Sequence, residues 1–171
     1  GRSAEKEALR ATLLGRAAEL VPRLRQRTQE CEAIGRVPDA TIDDLTEAGL
    51  LRVAQPGRFG GAELGWDVVC EVDRILAHGC ASQAWINNIM SDHAQQLGTF
   101  PLEAQDDVWG KTPKARVCGS LEPVGRGRIV PGGVVFSGRH AFGSGVDHAH
   151  WVVCGGFRYD GEKQLARAFF L

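Results

Sequence analysis

Apolar residues recur every three or four positions through the front of the chain and every second position near its end. That change of period predicts helices followed by strands. Leu9, Leu13, Ala17, Leu20 and Leu24 form a stripe on a first helix, which Ser3 can cap. Pro22 lacks an N–H and is expected to kink or divide this helix. Thr41, with Asp44 three residues on, resembles a capping box with Asp in place of Glu, and Gly49 closes that short helix. Val68, Val69, Val72, Ile75 and Leu76 give a further stripe, stopped by Gly79. A fourth helix is expected over 82–97, and Pro101 opens a short fifth helix ending at Gly110. After residue 115 the period drops toward two. Segments 116–121, 128–131, 134–137, 151–155 and 166–171 read as strands, with Gly132-Gly133 as a hairpin turn between two of them. The pattern is α+β: an all-helical N-terminal domain over 1–114, then the start of a β-domain over 115–171. Ala168-Phe169-Phe170-Leu171 is an apolar strand with no turn or cap, so the front part of a larger protein is expected.

Composition narrows the classes of function. A chain that is 43% hydrophobic and 24% charged is globular. Net charge is −1 and no basic tract is interleaved with aromatics, which argues against nucleic acid as a partner. No apolar run approaches the roughly 20 residues that span a bilayer, and the N-terminus is charged rather than signal-like. Cys31, Cys70, Cys80, Cys118 and Cys154 are odd in number, widely spaced and form no C-x-x-C pair. They fit neither a disulfide framework nor a zinc cluster, and a cytoplasmic location is expected.

The run Ser137–Trp151 carries the densest candidate chemistry. Gly143-Ser144-Gly145 lets the backbone approach a flat ligand, because glycine has no Cβ to hold it off. Phe142 offers a face, and the Ser144 hydroxyl both donates and accepts. A plain glycine-rich loop between strands is the alternative. Asp147, His148 and His150 read as the entry to a strand, where positions i and i+2 face the same way. No further cluster completes a metal site there, so no metal is expected. Gly125-Arg126-Gly127 begins like a dinucleotide fingerprint but lacks the third glycine and the following helix. Trp85, Ile89 and His93 fall on one stripe of the fourth helix. His93 is either a hydrogen-bonded core residue or a titratable group facing a pocket beside an aromatic wall.

In order and spacing, these pieces resemble the acyl-CoA dehydrogenase superfamily. More closely they resemble its flavin-dependent monooxygenase branch, the oxygenase components of two-component aromatic hydroxylases. The carriers are Ala48-Gly49-Leu50-Leu51-Arg52 with Pro56-Gly57-Arg58-Phe59-Gly60-Gly61, then Gly79-Cys80-Ala81-Ser82-Gln83-Ala84-Trp85. They continue in Ser120-Leu121-Glu122-Pro123 and in Ser137–Trp151. The resemblance implies a helical domain followed by a small β-barrel-like domain, the C-terminal helical bundle lying outside these residues. It implies reduced FMN or FAD as cofactor, embraced by Ser120 and Leu121 in a Glu-Pro loop and by Phe142 and Ser144. It places Ser144 beside flavin N5, His93 as substrate-side acid/base, and Trp85 with His93 at the substrate. The implied partners are a flavin reductase, O₂ and a phenolic or polycyclic aromatic substrate, within a homotetramer at full length. Val124-Gly125-Arg126-Gly127 is more basic than the corresponding dehydrogenase loop, which counts against the rival reading, FAD-dependent acyl-CoA desaturation. A non-catalytic fragment of the superfamily is the third reading.

Overall fold

The computed structural model describes residues 2–171. Six α-helices come first: α1 (Arg2–Gln26), α2 (Thr28–Ile34), α3 (Asp39–Glu47), α4 (Trp66–Ala77), α5 (Ala81–Leu97) and α6 (Leu102–Trp109). Four strands follow: β1 (Val117–Val130), β2 (Gly133–Ser137), β3 (Trp151–Asp160) and β4 (Lys163–Phe170). The α+β class expected from the change of period is the class observed. Among the described residues no helix is long and apolar enough to cross a membrane.

Several local expectations are corrected. α1 begins at Arg2, so Ser3 lies inside its first turn rather than at its cap. The helix runs through Pro22 and breaks instead at Arg27 (φ −87°, ψ 2°). Leu20 and Leu24, buried on either side of the proline, hold that stretch on the core. The Arg27 guanidinium turns away to Asp44, at 2.7 Å. α2 escaped the periodicity because Cys31 is its one buried residue. The Thr41–Asp44 capping box does not form, since α3 starts two residues earlier, after an extended Pro38. Thr41 instead donates to Gln83 Oε1 at 2.7 Å inside the core, and Asp44 receives Arg23 and Arg27. A fully buried hydroxyl must find a partner, which outweighs a cap that water can replace.

Two apolar clusters hold the chain together. One is built by α1, α3, α4 and the front of α5, with Leu13, Ala17, Leu24, Leu45, Val69 and Leu76 at its centre. The other joins helices to sheet: Ala94 and Leu97 of α5, with Val108 and Trp109 of α6, pack on Val117 and Val153. Trp109 is fully buried and satisfies its indole N–H on Ala115 O at 3.1 Å.

The strand order is β2-β1-β3-β4. β1 pairs antiparallel with β2 and parallel with β3, and β3 pairs antiparallel with β4. The β1–β2 turn is Pro131-Gly132, one residue earlier than expected, because Val130 pairs with Gly133 and Gly132 holds φ at 84°. The two strands expected over 116–121 and 128–131 are one strand with an interruption. Between Ser120↔Cys154 and Gly125↔Gly156, β1 advances five positions while β3 advances two. Leu121–Val124 therefore bulges from the ladder, at a proline that has no N–H to give it. Gly155 makes this possible, since a Cβ there would lie 2.4 Å from Leu121 O. Because β2 and β3 flank β1 on opposite sides, residues 138–150 must cross one face of β1.

Candidate functional site

The crossing segment is fixed to β1 and β3. Ser120, last in the regular ladder before the bulge, donates its hydroxyl to Ala141 O at 2.7 Å. His140 Nε2 donates to Gly155 O at 2.8 Å. Gly145 (φ 85°) settles between α5 and β1, where an added Cβ would meet Met90 at 3.1 Å, Ile86 at 3.6 Å and Cys118 at 3.9 Å. Burial, then the neighbouring Cys154 and Asp147, pushes the Cys118 thiol up to about 11.

Trp85 and Ser144 come together. The indole Nε1–H of Trp85, on the first turns of α5, donates to Ser144 Oγ at 3.2 Å. A hydroxyl that accepts one hydrogen bond still has its own hydrogen and a second lone pair. Phe142, two residues before, is 91% exposed and sits in the left-handed region at φ 56°. A non-glycine residue there is uncommon and strained, and its aromatic face projects into the open.

His93 lies apart from this pair. Its ring is 3% exposed, and Nδ1–H donates to Ile89 O at 2.8 Å. Nε2 is buried and has no partner among the described residues. The ring occupies space that only glycine leaves open, since a Cβ on Gly119 would be 2.6 Å from Nε2. Eight residues of helix set His93 about 12 Å along α5 from Trp85. Side chains alternate across a strand, so the Gly119 face of β1 meets His93 while Cys118 and Ser120 face the crossing segment. Leu121 packs beside the helix–sheet cluster, and Arg167 of β4 donates to its carbonyl at 2.9 Å.

The histidines of the crossing segment are not on a strand. Val146–His148 is a 3-10 turn and His150 precedes β3, so the shared-face geometry considered for a metal does not arise. His148 is 8% exposed and reaches back to the helices, with Nε2 2.8 Å from Val37 O and Nδ1 3.3 Å from Asp39 Oδ1. His150 Nδ1 accepts from Arg116 N–H at 3.0 Å, and partial burial with the Arg116 charge lowers its pKa. Beyond Trp85 the surface opens into a groove of about 660 Å³ with Cys31, Val37 and Ile86 among its walls. The helical patterns gave no sign of its α2 wall.

Residues 3–111 match the family described as "Acyl-CoA dehydrogenase, N-terminal domain", and the chain belongs to that family. Its homologues are oxygenase components of two-component flavin monooxygenases. The chain is 39% identical over 137 residues to the oxygenase subunit HsaA, a flavin-dependent monooxygenase of Rhodococcus jostii. That match takes in 80% of this chain and 36% of the relative. It is 32% identical over 158 residues to the oxygenase component of p-hydroxyphenylacetate 3-hydroxylase from Acinetobacter baumannii, taking in 92% of this chain and 37% of that protein. Among solved structures, the 3-HSA hydroxylase of a Rhodococcus species superposes with a TM-score of 0.90 at 34% identity, over 93% of this chain and 41% of that one. XiaF from Streptomyces, in complex with FADH2 and glycerol, gives 0.91 at 26% identity, over 96% of this chain and 42% of that one. The chain thus spans well under half the length of these relatives.

Proposed function

We propose that this chain is the front part of the oxygenase component of a two-component flavin-dependent monooxygenase that hydroxylates a phenolic or polycyclic aromatic substrate. The observation that carries the reading is the Trp85–Ser144 hydrogen bond, which seats a half-free hydroxyl beside the exposed, strained Phe142. The donor set fits a reduced flavin ring: a hydroxyl to meet its N5–H, an aromatic face to lie on it, and glycines that let the backbone come close. Reduced flavin, FMN or FAD, supplies the activation of O₂ when bound.

The chain's own residues do the rest. Ser144 holds a proton at flavin N5 through its free lone pair, and Phe142 excludes water from one face. Ser120, whose hydroxyl is committed to Ala141 O, contributes by fixing the segment that carries both. The Leu121 backbone in the bulge completes the cofactor's edge. His93 takes the phenol proton at Nε2, because Nδ1–H is already given to Ile89 O. Trp85 forms a substrate wall beside Ser144, with His93 about 12 Å further along α5. Residues 1–114 act as the helical domain and 115–171 as the start of the β-domain. A separate flavin reductase and a homotetramer of the full-length protein complete the system.

The test is to supply the full-length gene product with NADH, a flavin reductase and a panel of phenols. Hydroxylated product that depends on O₂ is expected. Ser144→Ala is expected to divert reducing equivalents to H₂O₂. Tightly bound oxidised FAD that turns over acyl-CoA without O₂ would sink the reading.

A further inference from the structure

His148 is the one buried side chain in the segment 138–150, and the chemistry proposed above makes no use of it. Arg116 pins the far end of this segment to β1: its Nε donates to His148 O at 2.6 Å and its backbone exchanges hydrogen bonds with His150. Those bonds fix the segment to the sheet only. Toward the helices it has the packing of Gly145 on α5 and two polar side-chain contacts, Trp85–Ser144 and His148–Val37/Asp39. The first is open to water at a tryptophan that is 54% exposed, where solvent competes for the same groups. In the second, the His148–Val37 bond is buried and spans 111 residues of sequence, while the Asp39 carboxylate is exposed. That carboxylate is also held by the two Arg36 nitrogens, at 2.9 and 3.2 Å. From His148 to Ser144 the path is one closed turn, with Val146 N–H on Gly143 O and His148 N–H on Gly145 O.

We propose that His148 is a positioning residue. By docking on Val37 and Asp39 it sets where Ser144 sits against Trp85, and so how oxygen divides between substrate and hydrogen peroxide. The proposal rests on the flavin monooxygenase reading. In that chemistry substrate, O₂ and reduced flavin give hydroxylated substrate, water and oxidised flavin. Without transfer, O₂ and reduced flavin give H₂O₂ and oxidised flavin. Both routes consume the same two electrons, so a displaced Ser144 changes the division between them and not the demand for reductant.

The experiment compares wild type, His148→Leu and His148→Gln in the full-length protein by backbone amide exchange and by product formed per reduced flavin oxidised. In His148→Leu the amides of residues 146, 148 and 149 are expected to exchange about tenfold faster or more, while those of α4 keep their protection. Product per flavin is expected to fall about threefold or more with flavin oxidation still running, and Gln, which keeps an N–H donor, is expected to restore part of it. If the leucine variant does not fold, Asp39→Ala, which keeps the Val37 bond and removes the side chain facing Nδ1, is expected to shift both readouts in the same direction by less. Unchanged exchange at 146–149 overturns the anchor. Faster exchange with an unchanged product ratio overturns the positioning role. A wild-type protein that hydroxylates no phenol sinks the parent reading and the oxygen division with it, while the exchange measurement still decides the anchor.

Discussion

At the scale of single residues, His93 is set up to accept rather than to donate. Ile89 O fixes the hydrogen on Nδ1 and leaves Nε2 buried without a partner among the described residues. If Nε2 takes the phenol proton, His93→Ala should lower kcat about 10²-fold or more with little change in substrate KM, as read by steady-state product formation. Equal losses for a substrate that needs no deprotonation would argue against that role. Cys118 makes a second prediction. A thiol near 11, against an ordinary 9.0, carries about 100-fold less thiolate at pH 8. Timed alkylation of the native protein should therefore label exposed Cys70 early and Cys118 last. Phe142 and Ser144 could be singled out from their glycine-rich neighbours and Trp85 from the stripe it shares with Ile89 and His93, but the meeting of Trp85 with Ser144, 59 residues apart, could not. His148 was not, because both its partners lie more than a hundred residues away.

At the scale of elements, α4 and α5 are joined by a half-buried polar tie as well as by their apolar faces. Asp73 Oδ1 accepts from Asn87 at 2.8 Å and Oδ2 from Asn88 at 2.7 Å. Burial raises the Asp73 carboxyl above its ordinary 3.8, with the two asparagine donors pulling the other way. The folded state therefore holds that proton more tightly than the unfolded chain. The stability linked to it is fully present below pH 3.8 and is lost as pH rises through the raised value. Asp73→Asn should flatten that part of the pH profile, measured as Tm across about pH 3 to 7. An unchanged slope would assign the pH dependence to other carboxylates. α1 and α4 were readable from apolar stripes that the structure buries, whereas α3 was read from its end signals and α5 buries Gln83, Asn87 and Ser91 while its Trp85 stays exposed. The capping box and the proline break were misread for one reason. Local signals at Thr41 and Pro22 were outweighed by burial, which only the assembled helices reveal. The bulge at Leu121–Val124 was half legible: Pro123 marks an interruption, but the glycines that accommodate it lie in another strand.

At the scale of the whole molecule, the helix–sheet cluster around Trp109 makes the helices and the first strand share one interior. The residues proposed for the site come from both sides of that junction, Trp85 and His93 from α5 and Phe142 and Ser144 from the crossing segment. That crossing has a consequence for how the molecule assembles. The β1–β2 hairpin closes over residues at most 11 apart, from Arg126 to Ser137. The parallel pairing of β1 with β3 joins Val117 to Trp151, and the His148–Val37 bond closes a much longer span. Distant contacts cost more chain entropy to close and form more slowly. Pulse-labelled refolding should therefore protect the β1–β2 amides before those shared by β1 and β3. A chain that has not yet paired its parallel strands has no sheet face for residues 138–150 to cross, so the Trp85–Ser144 hydrogen bond waits on a pairing made elsewhere in the fold.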